Sequence, residues 1–185
     1  MFHVILSSFL LVAASEMGDK TQLLAFSLAV RFKKPWPIMG GIFVATIFNH
    51  ALAAYAGQWI SHVLRQDILG YMLGASFIAF GFWTLHPDSL DTKEKHPQFG
   101  AFLTTVVLFF LAEMGDKTQL ATIALGARYQ SVVEVTIGTT MGMLATDGLA
   151  VFLGEKMAEK VPLKWIRWIA AGVFFLFGLF SLRRP

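Results

Sequence analysis

Long apolar runs alternate with short polar segments along the chain, and this pattern predicts membrane-spanning helices. A helix needs about 20 apolar residues to cross a bilayer. On that basis the chain is predicted to be an all-α integral membrane protein whose six transmembrane helices lie near Val4–Val30, Ile38–Ile60, Ile68–Leu85, Phe99–Ala127, Val132–Leu153 and Trp165–Leu182. The first and fourth runs are long and carry charges at their middles, so each is predicted to be tilted, kinked or broken near Gly18 or Gly115. No basic segment precedes the first run, which is therefore interpreted as a retained helix.

The chain contains an internal repeat. The octapeptide EMGDKTQL occurs at Glu16–Leu23 and again at Glu113–Leu120, 97 positions later, and the same offset aligns Gly41 with Gly138 without a gap. Each copy has three predicted spans, an odd number, so the second copy must enter the membrane from the opposite side. The prediction is two inverted-topology three-helix repeats, residues 1–85 and 99–185, joined by a polar cytoplasmic linker at residues 86–98. Because many secondary transporters are built from inverted repeats, the two are expected to form one transport domain.

Basic residues near the ends of the spans predict the orientation, because Lys and Arg are retained on the cytoplasmic side. One side has nine of them: Arg31, Lys33, Lys34, Lys93, Lys95, Lys156, Lys160, Lys164 and Arg167. The other side has four: Arg65, Arg128, Arg183 and Arg184. Both termini are therefore predicted to lie outside the cytoplasm.

Composition narrows the functional classes. The chain is 56% hydrophobic, with a mean hydropathy of +0.62, far more apolar than a soluble domain of 185 residues requires. Its net charge of +3 comes from residues between the spans, which favours a topological role over nucleic-acid binding. Because the chain has no cysteine, disulfides, thiolate metal sites and cysteine nucleophiles are excluded. No cofactor is expected; the expected partners are the lipid bilayer and a transported ion.

Ionisable residues inside predicted spans are costly and indicate function. On a continuous helix, Glu16 would lie on one polar stripe with Asp19 and Lys20, three and four residues later. The predicted cation ligands are the acidic and amide residues of both motifs, namely Glu16, Asp19, Gln22, Glu113, Asp116 and Gln119. The predicted supporting residues are Gly18, Lys20, Thr21, Gly115, Lys117 and Thr118.

The charge of the two motifs favours a divalent cation. Four carboxylates and two lysines leave a net charge of minus two, which one divalent cation would neutralise. In a buried site, repulsion among carboxylates favours proton uptake when the cation leaves, so proton exchange is a natural coupling. Hard oxygen donors suit Ca²⁺, Mn²⁺ and Mg²⁺. Met17 and Met114 would add sulfur ligands that favour Mn²⁺, but packing is the simpler explanation for them.

Two further interpretations concern the charged residues. In the first, Glu16–Lys20 and Glu113–Lys117 are structural pairs that hold the helices together, which leaves both aspartates unpaired. In the second, the polar positions of the second helix in each repeat, Asn49 with Thr146 and His50 with Asp147, add a proton or cation pathway. We assign Asn49, His50 and Asp147 to this secondary group, although a lone buried His is more often a hydrogen-bonded core residue.

The motif E-x-G-D-[KR]-[ST], present twice in a small six-helix protein, resembles that of the Gdt-one family of manganese and calcium transporters. Both copies match fully, and the resemblance covers nearly the whole chain. It implies that the two motif helices form the cation site, that transport is driven by proton exchange, and that a compact member such as this one exports Mn²⁺ across a bacterial inner membrane. Calcium remains an alternative substrate because family members differ.

Three other classes remain. An exporter of an organic cation or amino acid could share the inverted-repeat fold, and a non-transporting membrane scaffold would tolerate loss of the motif carboxylates. An intramembrane aspartyl protease is disfavoured because each motif Asp is followed by Lys, which would oppose the sharing of one proton between the aspartates. We therefore expect a transporter and not an enzyme.

Overall fold

The computed structural model describes residues 1–86, 99–153 and 163–182, and all regular secondary structure in this part is α-helix. Its eight helices are α1 Phe2–Glu16, α2 Lys20–Phe32, α3 Pro35–Val63, α4 Gln66–Thr84, α5 Gly100–Glu113, α6 Lys117–Tyr129, α7 Val132–Leu153 and α8 Leu163–Leu182. Residues 87–98 of the predicted linker lie outside the described residues, as do six of the basic residues used for the orientation: Lys93, Lys95, Lys156, Lys160, Arg183 and Arg184.

Both long predicted spans are broken at the repeated motif. Helix α1 ends at Glu16 and α2 begins at Lys20, and the two axes differ by 72°. Helix α5 likewise ends at Glu113 and α6 begins at Lys117. The break predicted near each motif glycine is therefore confirmed, and each motif lies between the C-terminus of one half-helix and the N-terminus of the next.

The repeat is visible in the helix boundaries. Helices α2, α3 and α4 begin at residues 20, 35 and 66, and α6, α7 and α8 begin 97 positions later at residues 117, 132 and 163. The residues that follow α2 and α6, Lys33 and Gln130, both have left-handed backbone angles, with φ of 51° and 50°. The duplicated sequence thus folds into duplicated local structure.

The two halves pack against each other reciprocally. Helix α1 packs on α7, as its counterpart α5 packs on α3, while α3 also contacts α6 and α7, and α4 packs on α8. A Cβ atom added to Gly41 would lie 2.6 Å from the Thr105 Cβ, and one added to Gly138 would lie 2.8 Å from the Ser8 Cβ. Gly41 and Gly138 are repeat partners, as are Ser8 and Thr105, so equivalent glycines allow the same close contact in both halves.

Length, composition and surface indicate an integral membrane protein. Helices α3, α4 and α7 are each long and apolar enough to cross a bilayer, and the bent pair α1–α2 would form a fourth span. Helix α5 and the Trp168–Leu182 part of α8 are shorter apolar helices. Large apolar side chains cover the outer surface, with Phe48 61% and Leu176 68% exposed, while most of the motif carboxylates and hydroxyls are buried. This distribution fits a lipid environment.

A cavity of about 570 Å³ lies at one end of the helix bundle. Residues from the beginnings of α1 and α4 and from the ends of α6 and α8 line it, including His3, Gln66, Arg128 and Ser181. The N-terminus, the α3–α4 turn, the α6–α7 turn and the end of α8 therefore share one end of the molecule. None of the motif carboxylates lines this cavity.

Candidate cation site

Glycine gives both breaks the same backbone conformation. Met17 is extended, with φ −67° and ψ 113°, and Met114 closely matches it with φ −65° and ψ 120°. The following Gly18 and Gly115 have φ of 83° and 76°, in the left-handed region that residues with a Cβ rarely adopt. The glycines therefore end α1 and α5 and redirect the chain into α2 and α6.

Replacement of Gly115 by alanine tests this backbone requirement. Nothing lies within 4 Å of a Cβ added at Gly115, so the expected cost of Gly115→Ala is conformational and not steric, about 1–2 kcal/mol in the free energy of unfolding. Gly172 in α8 also has open space around an added Cβ, and it is helical, so Gly172→Ala is expected to be neutral or stabilising. Denaturation in detergent measures the free energy of unfolding of both variants. Equal changes in the two would contradict the backbone requirement at Gly115.

The aspartate that follows each glycine is the N-cap of the helix after the break. Asp19 and Asp116 are the N-cap residues of α2 and α6, and the Asp116 carboxylate accepts a 2.6 Å hydrogen bond from the Lys117 N–H. The Gln22 side-chain oxygen accepts from the Gly18 N–H at 2.8 Å, and Gln119 accepts from Gly115 at the same distance. The pattern resembles a capping box. The side-chain oxygens of Gln22 and Gln119, both predicted cation ligands, thus accept hydrogen bonds from backbone N–H groups at the breaks.

Three motif carboxylates come together between the halves. One oxygen each of Glu16, Asp19 and Asp116 lies within 4.8 Å of the other two, and these side chains are 0–4% exposed. Two come from the first motif and one from the second, so the predicted meeting of the motifs is observed. Like charges this close in a dry interior repel strongly unless a cation or proton lies among them.

Hydroxyl groups from both motifs orient Glu16. The Thr21 hydroxyl donates to one Glu16 carboxylate oxygen at 2.5 Å, and the Thr118 hydroxyl donates to the other oxygen. The Ser15 hydroxyl lies 3.4 Å from that of Thr118, and sequence reasoning missed Ser15 because its repeat counterpart is Ala112. The Glu16 carboxylate is held at both oxygens, which fixes its direction.

The motif lysines pair crosswise. Lys20 lies 3.4 Å from Asp116, and Lys117 donates to Asp19, so each lysine neutralises the aspartate of the other motif. The interpretation based on Glu16–Lys20 and Glu113–Lys117 pairs is therefore wrong in its pairing. Its premise of a continuous helix fails, because the chain turns between Glu16 and Lys20. Lys117 is nearly buried, whereas the Lys20 side chain is 28% exposed.

Glu113 lies apart from the three-carboxylate group. It is fully buried, and its carboxylate is 4.0 Å from the His50 imidazole on α3. Asn49 donates to the Phe110 carbonyl, 3.1 Å away, one turn before Glu113. Asp147 on α7 is also fully buried. The second helix of each repeat therefore buries a polar residue at the equivalent position, His50 beside Glu113 on α3 and Asp147 on α7.

Comparison with known proteins assigns the family. A profile described as "Divalent cation/proton antiporter GDT1" matches residues 4–92 and 101–185. The chain belongs to this antiporter family. The GDT1 match covers both repeats, and the resemblance inferred from the doubled motif is confirmed.

Two bacterial relatives cover nearly the whole chain. A protein of Vibrio cholerae serotype O1 named "Putative manganese exporter" is 46% identical over 180 residues, which are 97% of this chain and 90% of the relative. The "GDT1-like protein sll0615" of Synechocystis is 30% identical over 206 residues, covering 98% and 97% of the two chains. A rice "GDT1-like protein 3" is 26% identical and aligns with all of this chain. No solved structure matches.

Proposed function

We propose that this GDT1 protein exports Mn²⁺ from the cytoplasm in exchange for protons, with the two broken helices forming its ion site. The observation that carries this proposal is the buried cluster of Glu16, Asp19 and Asp116, which joins both repeats. A carboxylate set of this kind suits a hard divalent cation. The manganese relative, which shares 46% of aligned residues, supports the choice of ion.

Six spans in two inverted repeats explain the architecture best. In this arrangement α1–α2 and α5–α6 are each one broken span, and α3, α4, α7 and α8 are the others. Reciprocal packing around Gly41 and Gly138 supports a two-fold relation between the halves. Broken helices place carbonyl-rich C-termini and amide-rich N-termini near the membrane midplane, a common device of secondary transporters. Nine basic residues against four favour a non-cytoplasmic location for both termini.

The crosswise lysines suggest how the empty site is neutralised. An entering cation competes with Lys20 for Asp116 and with Lys117 for Asp19, so binding loosens two contacts between the repeats. The four motif carboxylates and two lysines carry a net charge of minus two, so one divalent cation or two protons leave the site neutral. Because a net charge is costly in a low-dielectric interior, and because one divalent cation and two protons cancel the same charge, exchange of one cation for two protons is favoured.

The same pairs argue against the alternatives. An aspartyl protease needs two aspartates that share one proton, whereas Asp19 and Asp116 each contact a lysine. A scaffold gains nothing from three buried carboxylates that repel one another. An organic cation is larger than a metal ion and would need more room than this buried cluster of ion-paired side chains provides. Transport of a small inorganic cation fits these contacts best.

Inside-out membrane vesicles test the proposal. When the vesicle interior is acidified, we expect the wild-type protein to accumulate ⁵⁴Mn²⁺ and an uncoupler to abolish the accumulation. Glu113→Gln keeps the size of the side chain but removes a fully buried motif carboxylate, and we expect it to lower the initial rate at least about tenfold. The rate is measured at equal protein content in the membrane.

Glu134→Gln is the matched control for this experiment. Glu134 lies in the first turn of α7, where its carboxylate is 3.9 Å from the N-terminal amine and 19% exposed, outside the proposed site. Its amide variant is expected to transport at the wild-type rate. Uptake that ignores the proton gradient, or full activity of Glu113→Gln, would refute the proposed mechanism.

A further inference from the structure

The two motif glutamates have chemically different neighbours, although the repeat makes them equivalent. Glu113 faces the imidazole of His50, while the repeat counterpart of His50 is the carboxylate Asp147. All four side chains are 0% exposed. One half of the site therefore offers nitrogen and oxygen, and the other half offers oxygen alone.

The Glu113–His50 pair has the properties of an unsatisfied ligand set. Neither imidazole nitrogen and neither Glu113 oxygen has a hydrogen-bond partner among the described residues. The Thr46 hydroxyl, one turn before His50 on α3, is also buried without such a partner. A buried polar group left without a partner costs about 1–3 kcal/mol, so a natural sequence retains several together only for a compensating role.

Distance and positioning are compatible with a shared ion. The His50 Nε2 atom lies 4.0 Å from a Glu113 oxygen. Two atoms that each bind one ion at about 2.1 Å lie at most about 4.2 Å apart. The hydrogen bond from Asn49 to the Phe110 carbonyl joins α3 to α5 one residue before His50 and one turn before Glu113. This contact holds the two side chains opposite each other.

We propose that Glu113 and His50 supply one oxygen and one nitrogen ligand to the transported ion, so that the site favours divalent first-row transition metals, Mn²⁺ among them, over Ca²⁺ and Mg²⁺. The inference rests on the proposed function and specifies the substrate class of that site. A neutral imidazole binds transition metals, whereas Ca²⁺ and Mg²⁺ prefer oxygen ligands throughout. In this scheme His50 is a specificity-determining ligand, and Asp147 supplies charge to the other half.

Competition in inside-out vesicles gives the functional test. In the wild type, Fe²⁺ kept reduced with ascorbate is expected to inhibit ⁵⁴Mn²⁺ uptake at similar concentration, while Ca²⁺ inhibits only in large excess. His50→Gln replaces the nitrogen ligand by an amide oxygen, and the Ca²⁺ concentration that halves uptake is expected to fall about tenfold. His50→Asp, which restores the repeat counterpart, is expected to shift in the same direction. His62→Gln, at the exposed end of α3, is the matched control.

A spectroscopic test uses the wild-type protein and so does not depend on the folding of a variant. Electron spin echo envelope modulation of Mn²⁺ bound to the purified wild-type protein is expected to show a nitrogen coupling that changes on ¹⁵N-histidine labelling. Absence of that coupling, or equal Ca²⁺ sensitivity in the wild type, His50→Gln and His62→Gln, would overturn the assignment of His50. Absence of proton-driven Mn²⁺ uptake by the wild type would instead refute the proposed function, so the two failures are distinguishable.

Discussion

Lys117→Met is expected to lower the free energy of unfolding by about 3–5 kcal/mol, because it leaves Asp19 charged and buried beside two other carboxylates. For a chain of 185 residues this corresponds to a fall in Tm of roughly 6–20 °C. Met preserves the apolar length of the lysine side chain, so the loss reflects charge and hydrogen bonding and not a cavity. Thermal denaturation of the purified protein in mild detergent, followed by circular dichroism, measures the effect.

A second substitution separates charge from packing. In Lys117→Met/Asp19→Asn both members of the pair are neutral, and most of the lost stability is expected to return, although transport is not. Arg65→Met is the matched control, since the Arg65–Asp67 pair is 3.0 Å long but 79% and 51% exposed, and such pairs contribute about 1 kcal/mol or less. If the single Lys117 variant is no less stable than Arg65→Met, the crosswise pair does not stabilise the fold.

Repetition within the sequence was the most informative predictor of the fold. The doubled octapeptide fixed the 97-residue offset, and the starts of α2, α3 and α4 reappear at that offset in α6, α7 and α8. Charges and glycine at the middle of a long apolar run also predicted the breaks at Gly18 and Gly115. These features are local, because backbone angles and helix length depend mainly on nearby residues.

The pairing within the site could not be predicted in the same way. Helical spacing placed Lys20 beside Glu16, but the chain turns between them, and Lys20 instead contacts Asp116, which is distant in sequence. Gln22 and Gln119 stay predicted ligands, and the structure adds that their oxygens accept hydrogen bonds from the glycines of the breaks, a role that their chemistry alone did not indicate. Contacts between repeats depend on how the halves dock, and a spacing rule derived from one helix does not contain that information.

The methionines of the motif show how exposure separates two interpretations that composition leaves open. Met114 is 57% exposed, so its side chain points away from the buried carboxylates. This placement supports the packing interpretation for Met114 over a sulfur ligand, with lipid as the natural neighbour of an exposed apolar side chain. Met17 is only half-buried, so exposure decides between the two interpretations for Met114 alone. Among the nitrogen and oxygen donors of the described residues near the motifs, the His50 imidazole is the softest, which supports its role in ion selection.

Glu16→Gln is expected to weaken Mn²⁺ binding at least about 100-fold, because Glu16 belongs to the three-carboxylate cluster. The amide keeps one oxygen that can accept from Thr21 or Thr118, but its NH₂ group donates and cannot coordinate a cation. Isothermal titration calorimetry in detergent measures the affinity, and proton-driven uptake in inside-out vesicles measures transport.

The stability of the same variant should move in the opposite direction from that of Lys117→Met. Removing one of three mutually repelling carboxylates lowers the charge repulsion in the ion-free protein. The Tm of Glu16→Gln without metal is therefore expected to equal or exceed that of the wild type. A ligand raises the Tm only if it binds the folded protein. Added Mn²⁺ should therefore raise the Tm of the wild type and of Glu134→Gln, but not that of Glu16→Gln, in which binding is weakened. An unchanged Mn²⁺ affinity in Glu16→Gln would show that the cluster is structural, since a ligand carboxylate cannot be neutralised without loss of binding.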